Sequence, residues 1–209
     1  MKRINVSDMI YDTIKADFVN DVIDFGEKFV EIEYATKLDV SRTPLREAIK
    51  KFEHEGIIVR QPNGRLRFID ITKDNVVEMF NIRIALENLL IELSMSNNIA
   101  IQDLQKNIDS AKIALEQNDI KTARKKTTEF TKILYNNITF EYTLKMLNQN
   151  GIILSKLKKR TLSPDSRVLA ATKQHIELFN AIKNNDIQKA HEINKLHLIE
   201  ARDIILSQM

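Results

Sequence analysis

Apolar residues are spaced in three different ways along this chain, and each spacing predicts an element. In VSDMIYDTIKADFVNDVI, Met9, Ile10, Ile14, Phe18 and Ile23 recur at near-helical intervals, which predicts a first helix over roughly residues 7–23. EIEYATKL reads as a short second helix, broken at Asp39-Val40. SRTPLREAIKKFEHEG is a third helix in which Leu45, Ala48, Ile49 and Phe52 form the packing stripe, with Gly56 in the usual C-terminal position. The period then changes. Two β-rich runs, Ile57–Arg60 and Leu66–Ile71, flank Pro62-Asn63-Gly64 and predict a two-stranded hairpin with a glycine-dependent turn. From Thr72 onward only helical spacing is found, with helices expected near 74–97, 101–117, 119–138, 140–160, 164–184 and 186–207. Asp74 and Asp186 are candidate N-caps, and asparagine-rich breaks separate the segments. VVEMFNIRIALENLLIELSM is apolar on almost every side, so it is expected in the middle of a bundle.

Composition narrows the classes. Four glycines and three prolines in 209 residues suit long helices and argue against a sheet-rich fold. Cysteine is absent, which removes disulfides, thiolate metal sites and cysteine nucleophiles. No apolar run approaches the ~18 residues of a membrane span, and MKRINVSDMIYDTIK lacks a signal-peptide core, so no membrane partner and a cytoplasmic location are expected. The net charge of +3 says little, but its distribution is informative. Residues 1–36 carry 4 Lys/Arg against 8 Asp/Glu, whereas residues 37–67 carry 8 against 4. That change of sign, at a helix and a turn, fits a surface facing a polyanion.

The third helix shows which surface that is. Opposite its apolar stripe lie Arg42, Thr43, Arg46 and Lys50, starting at the helix N-terminus. A recognition helix of a helix-turn-helix meets base edges in the major groove at that end. Arginine suits the task because its planar fork pairs with guanine O6 and N7 and also grips phosphate. Ser41 and Thr43 offer hydroxyls for capping or phosphate contact. In the hairpin, Asn63-Gly64 can bring backbone close to DNA, and Arg65 near the tip can reach a minor groove or a phosphate. A catalytic function finds no support, since GxGxxG, GxSxG and HExxH are all absent. A non-specific nucleic-acid-binding or architectural protein is the alternative. Tryptophan is absent and the basic segment holds only Phe52 and Phe68, which leaves no stacking platform for single strands.

VSRTPLREAIKKFEHEGIIVRQPNG resembles the winged helix-turn-helix of the GntR family of bacterial transcription regulators, most specifically over Val40–Gly56. FNIRIALENLLIELS and QHIELFNAIKNNDIQKAHEINKLHL resemble the first and last helices of the FadR-like (FCD-type) effector domain. The resemblance implies a mainly α protein, with an N-terminal winged helix-turn-helix over residues 1–71 and a C-terminal all-α helical bundle for effector binding and dimerisation over 72–209. It implies a homodimer on double-stranded operator DNA, usually a repressor relieved by a small-molecule effector. Arg42, Thr43 and Arg46 would read the operator, while Ser41, Gly64 and Arg65 contact its backbone. The chain departs from the family in two places. Phe25-Gly26 stands where a Pro-Gly pair is usual, and the wing turn Asn63-Gly64-Arg65 is one residue short.

Candidate effector residues follow. If Asn184–Asp186 is a turn between antiparallel helices, His175 and His197 lie level, each ~15 Å from the turn. His191 is expected to face elsewhere. Arg83 is a charge in an apolar helix, either paired with Glu87 at i+4 or clamping an anionic, carboxylate-bearing effector. The resemblance adds Arg160 and Arg167 as recurrent arginines. Many relatives hold a divalent metal with an Asp and a His four apart, plus one His from each of the last two helices. Here the latter correspond to His175 and His197, but Thr127 and Thr131 occupy the first pair. Two imidazoles alone make a weak metal site, so no firmly bound metal cofactor is expected, and the threonines are expected to line the effector pocket as hydroxyl donors.

Overall fold

The computed structural model describes residues 5–96, 101–135, 140–161 and 165–209, with the side chains of 149 and 158–161 outside the described set. The chain forms two compact units. One comprises Met1–Thr72 with Asn148–Lys159, the other Lys73–Leu147 with Arg160–Met209. No described helix is long and apolar enough to cross a membrane.

In the first unit, α1 (Val6–Val19) is capped by Asn5, whose side chain accepts from the Ser7 N–H at 3.2 Å. The helix stops four residues short of the expected end because Asp21 takes a left-handed conformation, φ +59°, and Ile23 is buried from the loop. β1 (Lys28–Phe29) leads into α2 (Glu31–Lys37) and α3 (Arg42–His54). Leu45, Ala48, Ile49 and Phe52 of α3 are buried as the stripe predicted, against α1 and α2. β2 (Ile58–Arg60) and β3 (Leu66–Phe68) form the hairpin in the register Ile58↔Phe68 and Arg60↔Leu66. Its turn needs Gly64 at φ +79°, where a side chain would be strained. The wing is not two-stranded. β1 pairs antiparallel with β3, giving the sheet order β1-β3-β2. A two-residue strand has no alternation to read, so only its pairing reveals it.

The second unit is built from α4 (Lys73–Ser96), α5 (Ile101–Glu116), α6 (Ile120–Tyr135) and α7 (Glu141–Gln149, as far as Leu147), with α9 (Asp165–Lys183) and α10 (Ile187–Gln208) following α8 (Gly151–Thr161). The expected single helix over 140–160 is thus two, broken at Asn150 beside Gly151, two poor helix formers in succession. Asp74 lies in the first turn of α4 and does not cap it, whereas Asp186 caps α10 by accepting from the Lys189 N–H at 2.9 Å. α10 packs on α4 and α9, and α6 on α5 and α9. Their shared core includes Leu90, Ile108, Phe130, Leu134, Phe179 and Ile193, each contributing about 1.5–3 kcal/mol through burial. α4 is not covered all round: Ile82, Ala85 and Leu89 form an exposed apolar stripe at i, i+3 and i+7.

Helix α8 belongs to the first unit over residues 151–159, where Ile153, Lys156 and Leu157 are buried.

Candidate nucleic-acid interface and effector site

The turn between α2 and α3 is closed by Asp39 at φ +52° and by Val40 N–H donating to Ala35 O at 3.0 Å. It delivers Ser41 to the N-cap position of α3 in an extended conformation, with no side-chain cap bond, so its hydroxyl is not spent on the helix. Ser41, Arg42, Thr43, Arg46 and Lys50 are all exposed. Gly64 and Arg65 stand exposed at the wing turn, where Arg65 N–H donates to Asn63 Oδ1 at 3.0 Å.

The basic side chains of this segment divide by their partners. Lys37 pairs with Asp17, Lys51 with Asp8 and Arg60 with Glu53, and Arg67 donates to the Gly26 carbonyl. Arg42, Lys50 and Arg65 have no ion pair among the described residues. Arg46 Nε donates to Glu31 Oε2 at 2.9 Å, which leaves both terminal nitrogens of its fork for another acceptor. A groove of about 670 Å³ between α2 and the wing is lined by Lys28, Glu31, Gln61, Gly64 and Arg65. The cations of this segment without internal ion pairs therefore sit along the exposed face of α3 and at the wing tip. Glu31 was not singled out from sequence, because a carboxylate at the start of a helix is ordinarily explained by the helix dipole.

In the helical unit, the hairpin of α9 and α10 brings His175 and His197 level, with ring centroids 4.8 Å apart. Phe130 of α6 stacks on His175 at 4.5 Å. Arg167 is 5% exposed. Its terminal nitrogens donate to Gln174 Oε1 at 3.0 Å and His197 O at 2.9 Å, and Glu200 lies 3.5 Å away. Its Nε is buried with no hydrogen-bond partner among the described residues. Burial lowers the Arg167 pKa, and Glu200 opposes this. Gln174 also meets His197 Nδ1 at 2.9 Å. Thr127 Oγ1 lies 2.9 Å from Thr172 Oγ1, on the turn of α9 before His175. Thr127, Arg167, His175 and His197 thus share one polar interior region, in which Gln174, Thr172 and Glu200 were not foreseen. Thr131 is half-buried on α6.

Arg83 is paired on its own helix. Its Nε donates to Glu87 Oε1 at 2.5 Å, and burial followed by Glu87 pushes the Tyr135 hydroxyl pKa well above its ordinary value. The side chain of Arg160 lies outside the described residues. His191 faces α4, 3.2 Å from Glu92 and away from His197.

A divalent metal does not fit this donor set tightly. Among the described residues no three His, Cys, Asp or Glu side chains converge. Thr127 is engaged with Thr172, and His197 Nδ1 is 3.3 Å from the Arg167 guanidinium, whose charge repels a cation.

The FCD domain matches residues 78–200, and the bacterial regulatory proteins of the gntR family match residues 6–68. The chain belongs to the GntR family of regulators, with an FCD domain. Similar proteins include the gluconate operon transcriptional repressor of Bacillus subtilis (strain 168), 26% identical over 88% of this chain and 77% of the relative. The transcriptional repressor RspR of Escherichia coli (strain K12) is 22% identical over 96% and 89%. Among solved structures, E. coli McbR/YncC superposes with a TM-score of 0.73 at 16% identity, covering 99% of both chains. This GntR protein is accordingly a transcription regulator, and its relatives are regulators rather than enzymes.

Proposed function

We propose that this GntR protein is a cytoplasmic, homodimeric operator-binding repressor whose DNA affinity changes when a small carboxylate binds in its helical unit. On the DNA side, Arg42, Thr43 and Arg46 read base edges, while Ser41, Lys50, Gly64 and Arg65 hold the backbone. The support is that Arg42, Lys50 and Arg65 lack internal ion pairs among the described residues, while Lys37, Lys51 and Arg60 are neutralised locally. The exposed stripe Ile82, Ala85 and Leu89 supplies an apolar face for a second copy. Two relatives are repressors by name, and one is named for the operon of gluconate, a sugar carboxylate.

The effector reading is carried by Arg167, a buried guanidinium with an unpartnered Nε beside two imidazoles and a threonine hydroxyl. A carboxylate would meet charge-assisted donors there. Arg83 is committed to Glu87, so it contributes less, and Thr131 and Arg160 remain effector candidates on the sequence alone.

A thermal-shift screen of the metal-stripped protein against gluconate, other small carboxylates and divalent metals tests this. A carboxylate that raises Tm without metal, and fails to do so in Arg167→Ala, is the expected result. Stabilisation by Zn²⁺, Ni²⁺ or Mn²⁺ alone would replace the carboxylate by a metal on His175 and His197. On the DNA side, Arg46→Ala should lose discrimination between operator and random duplex with Tm nearly unchanged. Retained discrimination would remove Arg46 from recognition, and equal binding of both duplexes by the unsubstituted protein would favour a non-specific nucleic-acid binder.

A further inference from the structure

Lys156 is fully buried, yet it stands on the apolar stripe of α8 between Ile153 and Leu157. Its ammonium meets three oxygens of the α1–β1 corner: Asp21 Oδ1 at 2.6 Å, Ile23 O at 2.8 Å and Phe18 O at 2.9 Å. The rings of Phe18 and Phe25 lie 4.8 and 5.2 Å from it. An ammonium has three N–H donors, and all three are used here. The acceptors suit a cation in particular. Phe18 O belongs to the last turn of α1, at the negative end of the dipole, where it also accepts from the Asp21 N–H at 3.3 Å. The two rings add cation–π attraction in a dry setting. Asp21 reaches this place from the left-handed turn that ends α1. A lysine buried in this way would be strongly destabilising without such a cage.

We propose that the α1–β1 corner is an ammonium socket, that Lys156 is its occupant, and that occupancy sets the DNA affinity of the winged unit. The segment Asn148–Lys159, which holds most of α8, is joined at both ends to chain of the helical unit, so a change there reaches the socket along the chain from either side. The socket in turn anchors the loop that runs through Gly26, the acceptor for Arg67, to β1, the strand that pairs with the wing. Emptying it loosens the support of the wing and of α2 without touching a residue placed on DNA. The proposal rests on the DNA-binding role and is independent of which effector binds.

The test uses the full-length protein, as it is and with Lys156→Ala or Asp21→Asn. Hydrogen exchange is read by segment, and affinity is measured for a duplex selected in vitro with the unsubstituted protein. In Lys156→Ala, residues 18–25 and α8 should exchange roughly tenfold faster or more, because two buried carbonyls and the Asp21 carboxylate lose their donor. Ethylammonium chloride should restore protection of residues 18–25 but not of α8, whose tether is gone, and sodium chloride at equal strength should restore neither. DNA affinity should shift about fivefold or more in both variants. An identical response to ethylammonium and sodium would overturn the socket. Faster exchange with unchanged DNA affinity would overturn its regulatory role and leave a structural cage. If Lys156→Ala does not fold, Asp21→Asn decides, since it keeps the lysine and the packing: unchanged affinity there overturns the proposal.

Discussion

Gly26 has φ +71°, and a Cβ built on it would come within 3.0 Å of Arg67 Nη2 and 3.4 Å of Asp70 Cγ. Gly26→Ala should therefore destabilise the winged unit by about 1–3 kcal/mol, read as a lower denaturant midpoint, through backbone strain and displacement of Arg67. Phe25 replaces the family's usual proline before this glycine, and it packs edge-on against Phe18 with centroids 5.4 Å apart. Tyr34 gives a pH-dependent prediction. Burial, then Glu27, Asp17 and Glu33, push its hydroxyl from 10.0 to about 12. The folded state thus holds the proton more tightly than the unfolded chain. Its contribution is complete below pH 10 and is lost as pH rises from 10 toward 12, so stability should fall across that window. Tyr34→Phe should flatten the fall, measured by chemical denaturation alongside phenolate absorbance.

At the scale of elements, spacing was the legible signal, and one of the two candidate caps, Asp186 but not Asp74, forms. The stripe of α3 appears as its periodicity predicted, and Asp186 caps α10. Asp186→Ala should cost about 1 kcal/mol of stability in the helical unit, observed as a lower Tm. The break at Asn150-Gly151 and the strand β1 were not legible. The first is a local failure of helix propensity inside an apolar pattern that continues through it, and the second exists only because β3 offers a partner. α4 shows a limit of another kind. A helix apolar on nearly all sides was expected in a bundle centre, yet Ile82 and Leu89 are 47% and 41% exposed. Leu89→Glu should convert the proposed dimer to monomer in light scattering and weaken operator binding, because a carboxylate cannot be buried there without a partner. An unchanged mass would move the dimer face elsewhere.

At the scale of the molecule, the division into a DNA-facing unit and a helical unit decides how the functions separate. Phosphate contacts release counterions, so operator affinity should decrease with salt, and Lys50→Ala should reduce the slope of log affinity against log salt by about 1. His175→Ala with His197→Ala should alter the response to an effector found in the thermal screen while leaving DNA affinity in its absence unchanged, as measured by fluorescence anisotropy. The sequence by itself determined the element types apart from β1 and the α7–α8 break, the basic face of α3, the glycine-dependent wing turn and the family, since each depends on local spacing or on a contiguous motif. It also brought His175 and His197 level, because antiparallel helices joined by a short turn leave no other register. Only the tertiary structure decided which charges are spent and which are not. Arg67 is taken by Gly26, Arg83 by Glu87 and Lys156 by the α1–β1 corner, whereas Arg42, Lys50 and Arg65 keep no internal ion pair among the described residues. Two of those pairings join groups far apart in the chain, up to 138 residues for Lys156 and Phe18. A one-dimensional pattern holds no distance between such positions. Desolvation and hydrogen-bond geometry select the partner once the chain has folded.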